Sequence, residues 1–172
     1  MLTTAQIGYL NTVPEGKITR IEPFNPGTQQ AAKEIIAEVM SDVPSAMAHY
    51  VGSSKLGIAG ENDIDLTILA GNDFKLAAVT LEKRYGVPHH RSTKRDYVMW
   101  EFERNGFPVE LHLTDFIDAG LQEQLDTQEI LENDKALCSE YEAIKLKCDG
   151  LPWKEYLVKK YEFWNRILGI GE

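Results

Sequence analysis

The sequence predicts a mixed α+β fold: a small mixed sheet flanked by helices, with further helices at the C-terminal end. Three observations predict it. Ala32, Ile35, Ile36 and Val39 recur at helical spacing, whereas Ile64, Leu66, Ile68 and Leu69 have the density of a buried strand. Asn105-Gly106 separates two strand-like runs and is a hairpin turn signal. From Asp115 onward the chain reads as helical.

Residues 1–16 carry little pattern and read as a flexible leader. Ile18, Ile21 and Phe24 mark a short extended segment, closed by Pro23 and the turn Asn25-Pro26-Gly27. Thr28 is placed to cap a helix through about Met40, and Asp42-Val43-Pro44 ends it. Residues 46–51 read as a strand entering Gly52, followed by a glycine-punctuated loop over residues 53–62. A buried strand then spans residues 63–70. Asp73 caps a helix from Phe74 to Tyr85, stopped by Gly86 and Pro88. Two strands follow, over residues 97–102 and 109–113. One long helix is expected from Asp115 to about Cys148. Asp149-Gly150-Leu151-Pro152 breaks it, and a last helix spans residues 153–168.

At 172 residues the chain is expected to be one domain over 1–172, with 115–172 its helical C-terminal part. The net charge of -9 argues against a long nucleic acid as partner, because neutralising phosphates needs clustered Lys and Arg. It suits a protein that gathers divalent cations. Cys138 and Cys148 match no metal pattern and read as reduced thiols. No charged-then-apolar leader and no apolar run near a membrane span are present, so a cytoplasmic protein without membrane contact is expected. The C-terminal helices can serve as a lid, a flank or a homodimer surface.

The segment with chemical content is Gly52-Ser53, nine intervening residues, then Asp63-Ile64-Asp65. Alternate strand residues share a face, so the two carboxylates project together, roughly 6–7 Å apart at the backbone. Like charges side by side call for a cation, and carboxylates are hard ligands suited to Mg²⁺ or Mn²⁺. A bare Asp-x-Asp is common at solvated strand ends, but the upstream loop adds weight. Gly52 lets backbone approach a phosphate, Ser53 offers a hydroxyl and an N–H, and Gly57 and Gly60 let the loop turn. Phosphate and metal would then meet at one nucleoside triphosphate.

Gly-Ser, such a spacer and Asp-x-Asp on a strand resemble the signature of the DNA polymerase β-like nucleotidyltransferases. The resemblance narrows to the GrpB family (UPF0157-like). Ile21-Glu22-Pro23-Phe24-Asn25-Pro26 looks like its opening strand and turn, and His49-Tyr50-Val51-Gly52-Ser53-Ser54 like its His-x-Gly-Ser-Thr/Ser segment. Leu111-His112-Leu113 is similar to its His-Leu-His strand. Glu140-Tyr141-Glu142-Ala143-Ile144-Lys145 and Tyr156…Lys160…Phe163 are similar to its two C-terminal helices. The match runs from about Ile18 to Leu168. It implies a nucleotidyltransferase-like sheet, and the superfamily pairs its two aspartates with a third carboxylate on a neighbouring strand. Glu110, where the family often has the first His of His-Leu-His, is the acidic candidate for that role.

Asp63, Asp65 and Glu110 are therefore the expected catalytic and metal-binding residues. Gly52, Ser53, Ser54, Arg91 and Lys160 are the expected nucleotide or phosphate contacts, and His112 and His49 are further candidates. Each has a plainer reading beside it. Glu110 and His112 share a strand face that can simply be an exposed edge, and His49 reads as a satisfied sheet histidine. The stretch His89-His90-Arg91-Ser92-Thr93-Lys94-Arg95 reads as a solvated loop unless it overhangs the cleft, where Arg91, Lys94 or Arg95 would contact phosphates. Lys145 and Lys160 read as helix surface, and the resemblance raises Lys160 because it pairs with Tyr156. No Walker A motif and no nucleophile elbow are present.

The leading reading is transfer of an NMP group from an NTP, ATP in the first instance, to an unknown small-molecule or protein acceptor. The rival is a catalytically inactive nucleotide-binding or accessory domain of GrpB type. A third is a structural protein that dimerises through its C-terminal helices.

Overall fold

The computed structural model of the chain describes residues 1–71 and 73–170. Its elements are α1 (Thr4–Thr12), α2 (Gly27–Asp42), β1 (Met47–Val51), α3 (Gly52–Leu56), β2 (Ile64–Leu69) and α4 (Phe74–Tyr85). They continue with β3 (His90–Arg91), β4 (Tyr97–Arg104), β5 (Phe107–Thr114), α5 (Ala119–Asn133), α6 (Lys135–Lys147) and α7 (Trp153–Leu168). The five strands form one mixed sheet in the order β1-β2-β5-β4-β3. β2 and β5 run parallel, and the other neighbours are antiparallel. The mixed α+β architecture is the one the sequence predicts.

Alternation along the central strands sorts the side chains. Ile64, Leu66, Ile68, Val109, Leu111, Leu113, Val98 and Trp100 are buried on one face. There they pack against Ala31, Ala32, Ile35 and Val39 of α2 and Ala77, Ala78 and Leu81 of α4. Each large side chain buried this way contributes about 1.5–3 kcal/mol relative to exposure. The intervening residues Asp65, Thr67, Glu110, His112, Thr114 and Tyr97 turn to the opposite face, where they line a cleft. The helical part closes that cleft from the other side. α5, α6 and α7 pack around Leu131, Tyr141 and Phe163, with the Tyr141 and Phe163 rings stacked at 5.2 Å.

Several elements differ from the sequence reading. The expected leader contains α1, capped by Thr3 in a reciprocal capping box with Gln6. α2 starts at Gly27 with Pro26 as its cap, and the Thr28 hydroxyl donates to the Asn25 carbonyl at 2.7 Å. The loop after Gly52 opens with the short helix α3. The long helix expected from Asp115 to Cys148 is two helices. Asp134 ends α5, and its carboxylate accepts the Ala136 and Leu137 N–H groups to start α6. The turn at Asn105-Gly106 forms as expected, both residues having positive φ. α7 matches the expected range, and α4 matches with its Asp73 cap. Cys138 and Cys148 are both free.

Candidate functional site

The cleft has a volume of about 730 Å³. Its floor is the β2–β5 pair, in which Asp65 lies directly beside Glu110 and Thr67 beside His112. Asp63 stands just before β2. The residue ahead of it, Asn62, has positive φ. The Asn62 amide donates to the Pro23 carbonyl at 3.0 Å, and its Oδ1 accepts the Asn25 N–H at 3.0 Å. The opening turn thereby clamps the segment that carries Asp63. Asp63, Asp65 and Glu110 all line the cleft, so Glu110 is on the aspartates' side of the sheet.

Their electrostatics are unequal. Burial pushes the Asp65 carboxyl well above the usual aspartate range, and the charges of Asp63 and Glu110 push the same way. Glu61, also in the lining, is raised by burial and by Asp63. Glu110 is held low, chiefly by its hydrogen bond with His112. His112 Nε2 lies 3.5 Å from the Glu110 carboxylate, and Nδ1 lies 2.8 Å from the Tyr97 hydroxyl. The imidazole therefore bridges β4 and β5 beside the acidic floor. Among the described residues no group of three His, Cys, Asp or Glu side chains is placed to hold a metal ion.

The Gly-Ser turn enters the cleft from β1. Gly52 has φ of +87°, which only glycine adopts without strain. Its N–H donates to Gln128 Oε1 of α5 at 3.0 Å, so that donor is engaged within the protein. Ser53 lines the cleft. Gly60 is needed behind it, since a β-carbon there would overlap the Ser53 hydroxyl. The loop's far end is pinned by the Ala59 N–H, which donates to Glu142 of α6 at 2.8 Å. Ser54 is buried off the cleft lining.

The opposite wall carries cations. Lys145, expected at a helix surface, is 6 % exposed, and its Nζ donates to the Tyr156 hydroxyl at 2.7 Å. Lys160 Nζ sits 4.4 Å from the centre of the Trp164 ring. Burial works against the Lys160 charge, but Tyr141, Tyr161 and Asp65 outweigh it and leave the group raised. Lys17 is at the same cleft. Among the described residues no carboxylate lies within ion-pair distance of Lys17, Lys145 or Lys160. The Thr127 hydroxyl, buried in the lining, also lacks a hydrogen-bond partner among those residues.

Besides Ser54, two expected contacts fall elsewhere. Arg91 is on the edge strand β3, where it pairs with Glu82 of α4 at 2.8 Å, outside the cleft. From that basic stretch it is Arg95 that lines the cleft, held by Asp118 at 2.8 Å. His49 lies on β1 opposite Thr67, outside the cleft lining. The sequence reading also missed Lys17, Glu61 and Gln128. A faint signal existed for Lys145 alone, because it sits in the segment Glu140–Lys145 that looks like a family helix.

The GrpB protein family model matches residues 18–169. The chain belongs to the GrpB family. No curated protein matches its sequence. A solved structure of conserved protein GrpB from Enterococcus faecalis superposes with a TM-score of 0.60 at 13% identity, covering 86% of this chain and 99% of that one. Cid1, an RNA terminal uridylyl transferase, is similar with a TM-score of 0.51 at 12% identity over 81% of this chain. Cid1 poly(U) polymerase with Mg and 3'-dATP bound gives a TM-score of 0.50 at 11% identity over 81% of this chain. The chain spans less than half the length of either Cid1 structure, 41% and 43%. The fold of this GrpB-family chain is thus nucleotidyltransferase-like. No helix among the described residues is long and apolar enough to cross a membrane.

Proposed function

We propose that this chain binds a nucleoside triphosphate with Mg²⁺ or Mn²⁺ in the cleft and transfers the nucleoside monophosphate to a small-molecule or protein acceptor. The observation that carries the reading is opposite charge facing across one cleft. Asp63, Asp65 and Glu110 lie on the sheet side, and Lys17, Lys145 and Lys160 on the other. A metal–triphosphate satisfies both walls. Its oxygens meet the ammonium groups, and its cation neutralises the carboxylates. ATP is the first nucleotide to test. The Mg-bound 3'-dATP of Cid1 supports the ligand class.

The donor set fits Mg²⁺ held by one or two carboxylates plus substrate phosphates, the usual manner for this ion. Asp63 and Asp65 would hold it, and the upward pressure on the Asp65 carboxyl is what a nearby cation relieves. When bound, the ion supplies charge stabilisation at the α-phosphate and acidifies the acceptor hydroxyl. Ser53, Lys145 and Lys160 would bind the β- and γ-phosphates. Gly52 would make the turn that presents Ser53 to them, its missing side chain leaving room for the Asp65 carboxylate. Glu110 would take the acceptor's proton as the acceptor oxygen bonds the α-phosphorus and pyrophosphate leaves with its bonding electrons.

The test is a set of thermal melts with ATP, GTP, CTP and UTP, each with and without Mg²⁺. A ligand bound only by the folded state raises the melting temperature by mass action. A metal-dependent rise is expected. The absence of any shift at millimolar nucleotide would overturn the reading in favour of a structural role.

One observation favours a second reading, nucleotide binding without transfer. The Glu110 carboxylate is already engaged by His112, and the described residues bring no three metal-ligating side chains together. Pyrophosphate release separates the two. Nucleotide binding without release, across a panel of hydroxyl acceptors, favours the binding module.

A further inference from the structure

The family match begins at residue 18, yet the cleft lining includes Tyr9 and Lys17. We infer that residues 1–17 form a strap that completes the ligand site, with Tyr9 supplying an aromatic wall for the nucleobase and Lys17 a positive charge for the phosphate chain. The inference rests on the nucleotide reading above.

The strap is held by Val13 and Leu10, which pack with Cys148, Tyr156 and Leu157, and by polar contacts. Gln6 and Asn165 of α7, 6 % and 1 % exposed, exchange reciprocal amide hydrogen bonds, each 2.8 Å long. The Asn165 amide also donates to the Met1 carbonyl at 2.7 Å. Two buried amides that satisfy each other fix register and orientation, because shifting either leaves polar groups unpaired in the interior. α1 has no apolar stripe, and Gln6 is its one buried residue. At its C-terminal end Leu10 packs against the cluster of Val13, Cys148, Tyr156 and Leu157, and the polar lock fixes the rest of α1.

Tyr9 is brought to the cleft by that lock. It is 50% exposed, with its ring nearly at right angles to that of Tyr161 and the two centroids 6.5 Å apart. Trp153, Tyr156 and Trp164 of α7 line the same cleft, so Tyr9 extends an existing aromatic wall. Such a wall takes flat rings, and every nucleobase presents a π-face. Lys17 is fixed in the same way. Its carbonyl accepts the Trp153 N–H at 2.8 Å, and its Nζ stands 3.8 Å over the Trp153 ring. A lysine laid on an indole face with no carboxylate partner among the described residues keeps its charge available to an anion. The strap thus brings a ring-binding and a phosphate-binding group to the same cleft.

The test compares two probes on the full chain with Mg²⁺ present. One is the tightest binder among ATP, GTP, CTP and UTP, and the other is inorganic tripolyphosphate, which has the charge without the ring. Tyr9→Ala should weaken the nucleotide roughly tenfold, the effect of losing one stacking partner, and leave tripolyphosphate unchanged. Tyr9→Phe should retain wild-type affinity. Lys17→Ala should weaken both probes. Melting curves of the unliganded variants check that the strap stays docked. If wild type binds both probes and Tyr9→Ala binds them equally well, the strap inference is overturned and the nucleotide site stands. If wild type binds neither probe, both fail together.

Discussion

Gly52 and Asp65 are in such close approach that a β-carbon on Gly52 would lie 2.5 Å from the Asp65 Oδ2. The turn after β1 and the carboxylate on β2 are therefore one constructed unit, and the positive φ of Gly52 demands glycine a second time. Gly52→Ala should lower stability by about 1–3 kcal/mol through backbone strain alone. It should also displace the Asp65 carboxylate. Denaturant melts measure the first effect, and loss of the Mg²⁺-dependent nucleotide shift measures the second. An unchanged melt would contradict the close approach.

Asp65 and Glu38 should give opposite pH signatures. The Asp65 carboxyl is raised above its ordinary 3.8, so between that value and its folded value the native state holds a proton the unfolded chain has released. Stability then falls as pH rises through this window. Asp65→Asn removes the loss, so the variant should melt higher than wild type at neutral pH and equal it near the ordinary aspartate value. Glu38 is lowered from 4.5, chiefly by Arg104, whose guanidinium donates to both its oxygens at 2.8 and 2.9 Å. Its stabilisation is present above 4.5 and is lost as pH falls through the folded value. Glu38→Gln should therefore melt lower at neutral pH, and the gap should close in acid. Melts of both variants across the acid range check both signs.

Lys145→Met should separate binding from stability. The ammonium group is buried against the rings of Tyr141 and Tyr156, donates to the Tyr156 hydroxyl, and has no carboxylate partner among the described residues. Removing a charge that lacks a partner relieves desolvation, whereas a bound phosphate loses a charge-assisted hydrogen bond of about 1.5–3 kcal/mol. The expected outcome is an unchanged or higher melting temperature with nucleotide affinity reduced roughly tenfold or more. Calorimetric titration and a melt on the same sample decide it. Retained affinity would remove Lys145 from the phosphate site.

Arg91→Ala and Lys160→Ala should differ. Arg91 makes an exposed ion pair with Glu82, worth at most about 1 kcal/mol, and lies off the cleft. Its loss should leave nucleotide affinity within about twofold, whereas Lys160→Ala should cost roughly tenfold, the usual worth of a charged contact. Equal losses would put the phosphates on the β3 side of the protein.

Much of this was legible in local pattern. The period of two along β2 and β5 sorts Ile64, Leu66, Val109 and Leu111 from Asp65 and Glu110 without any coordinates. The Gly52-Ser53 … Asp63-Ile64-Asp65 segment and its companions point to the GrpB family. Cap chemistry marked the start of α4 at Asp73. Less was legible where a signal is short or non-periodic. α1 has no apolar stripe, so residues 4–12 show no helical period to read. Asp134 interrupts a helical pattern that continues on both sides, so two helices read as one.

The sequence by itself determined the fold class, the alternation that sets Asp65 apart from Ile64 and Leu66, and the segments with chemical content, because these depend on residue type and on spacing within one element. That Glu110 shares the aspartates' side of the sheet was decided by the pairing of β2 with β5. Tertiary structure alone decided that Arg95 and not Arg91 reaches the cleft, that Lys145 is buried opposite the carboxylates, and that Gln128 takes the Gly52 N–H. It also decided that Gln6 locks Tyr9 into the site through Asn165, 159 residues away along the chain. Contacts across such separations are set by how the elements pack together, and no local periodicity records that packing.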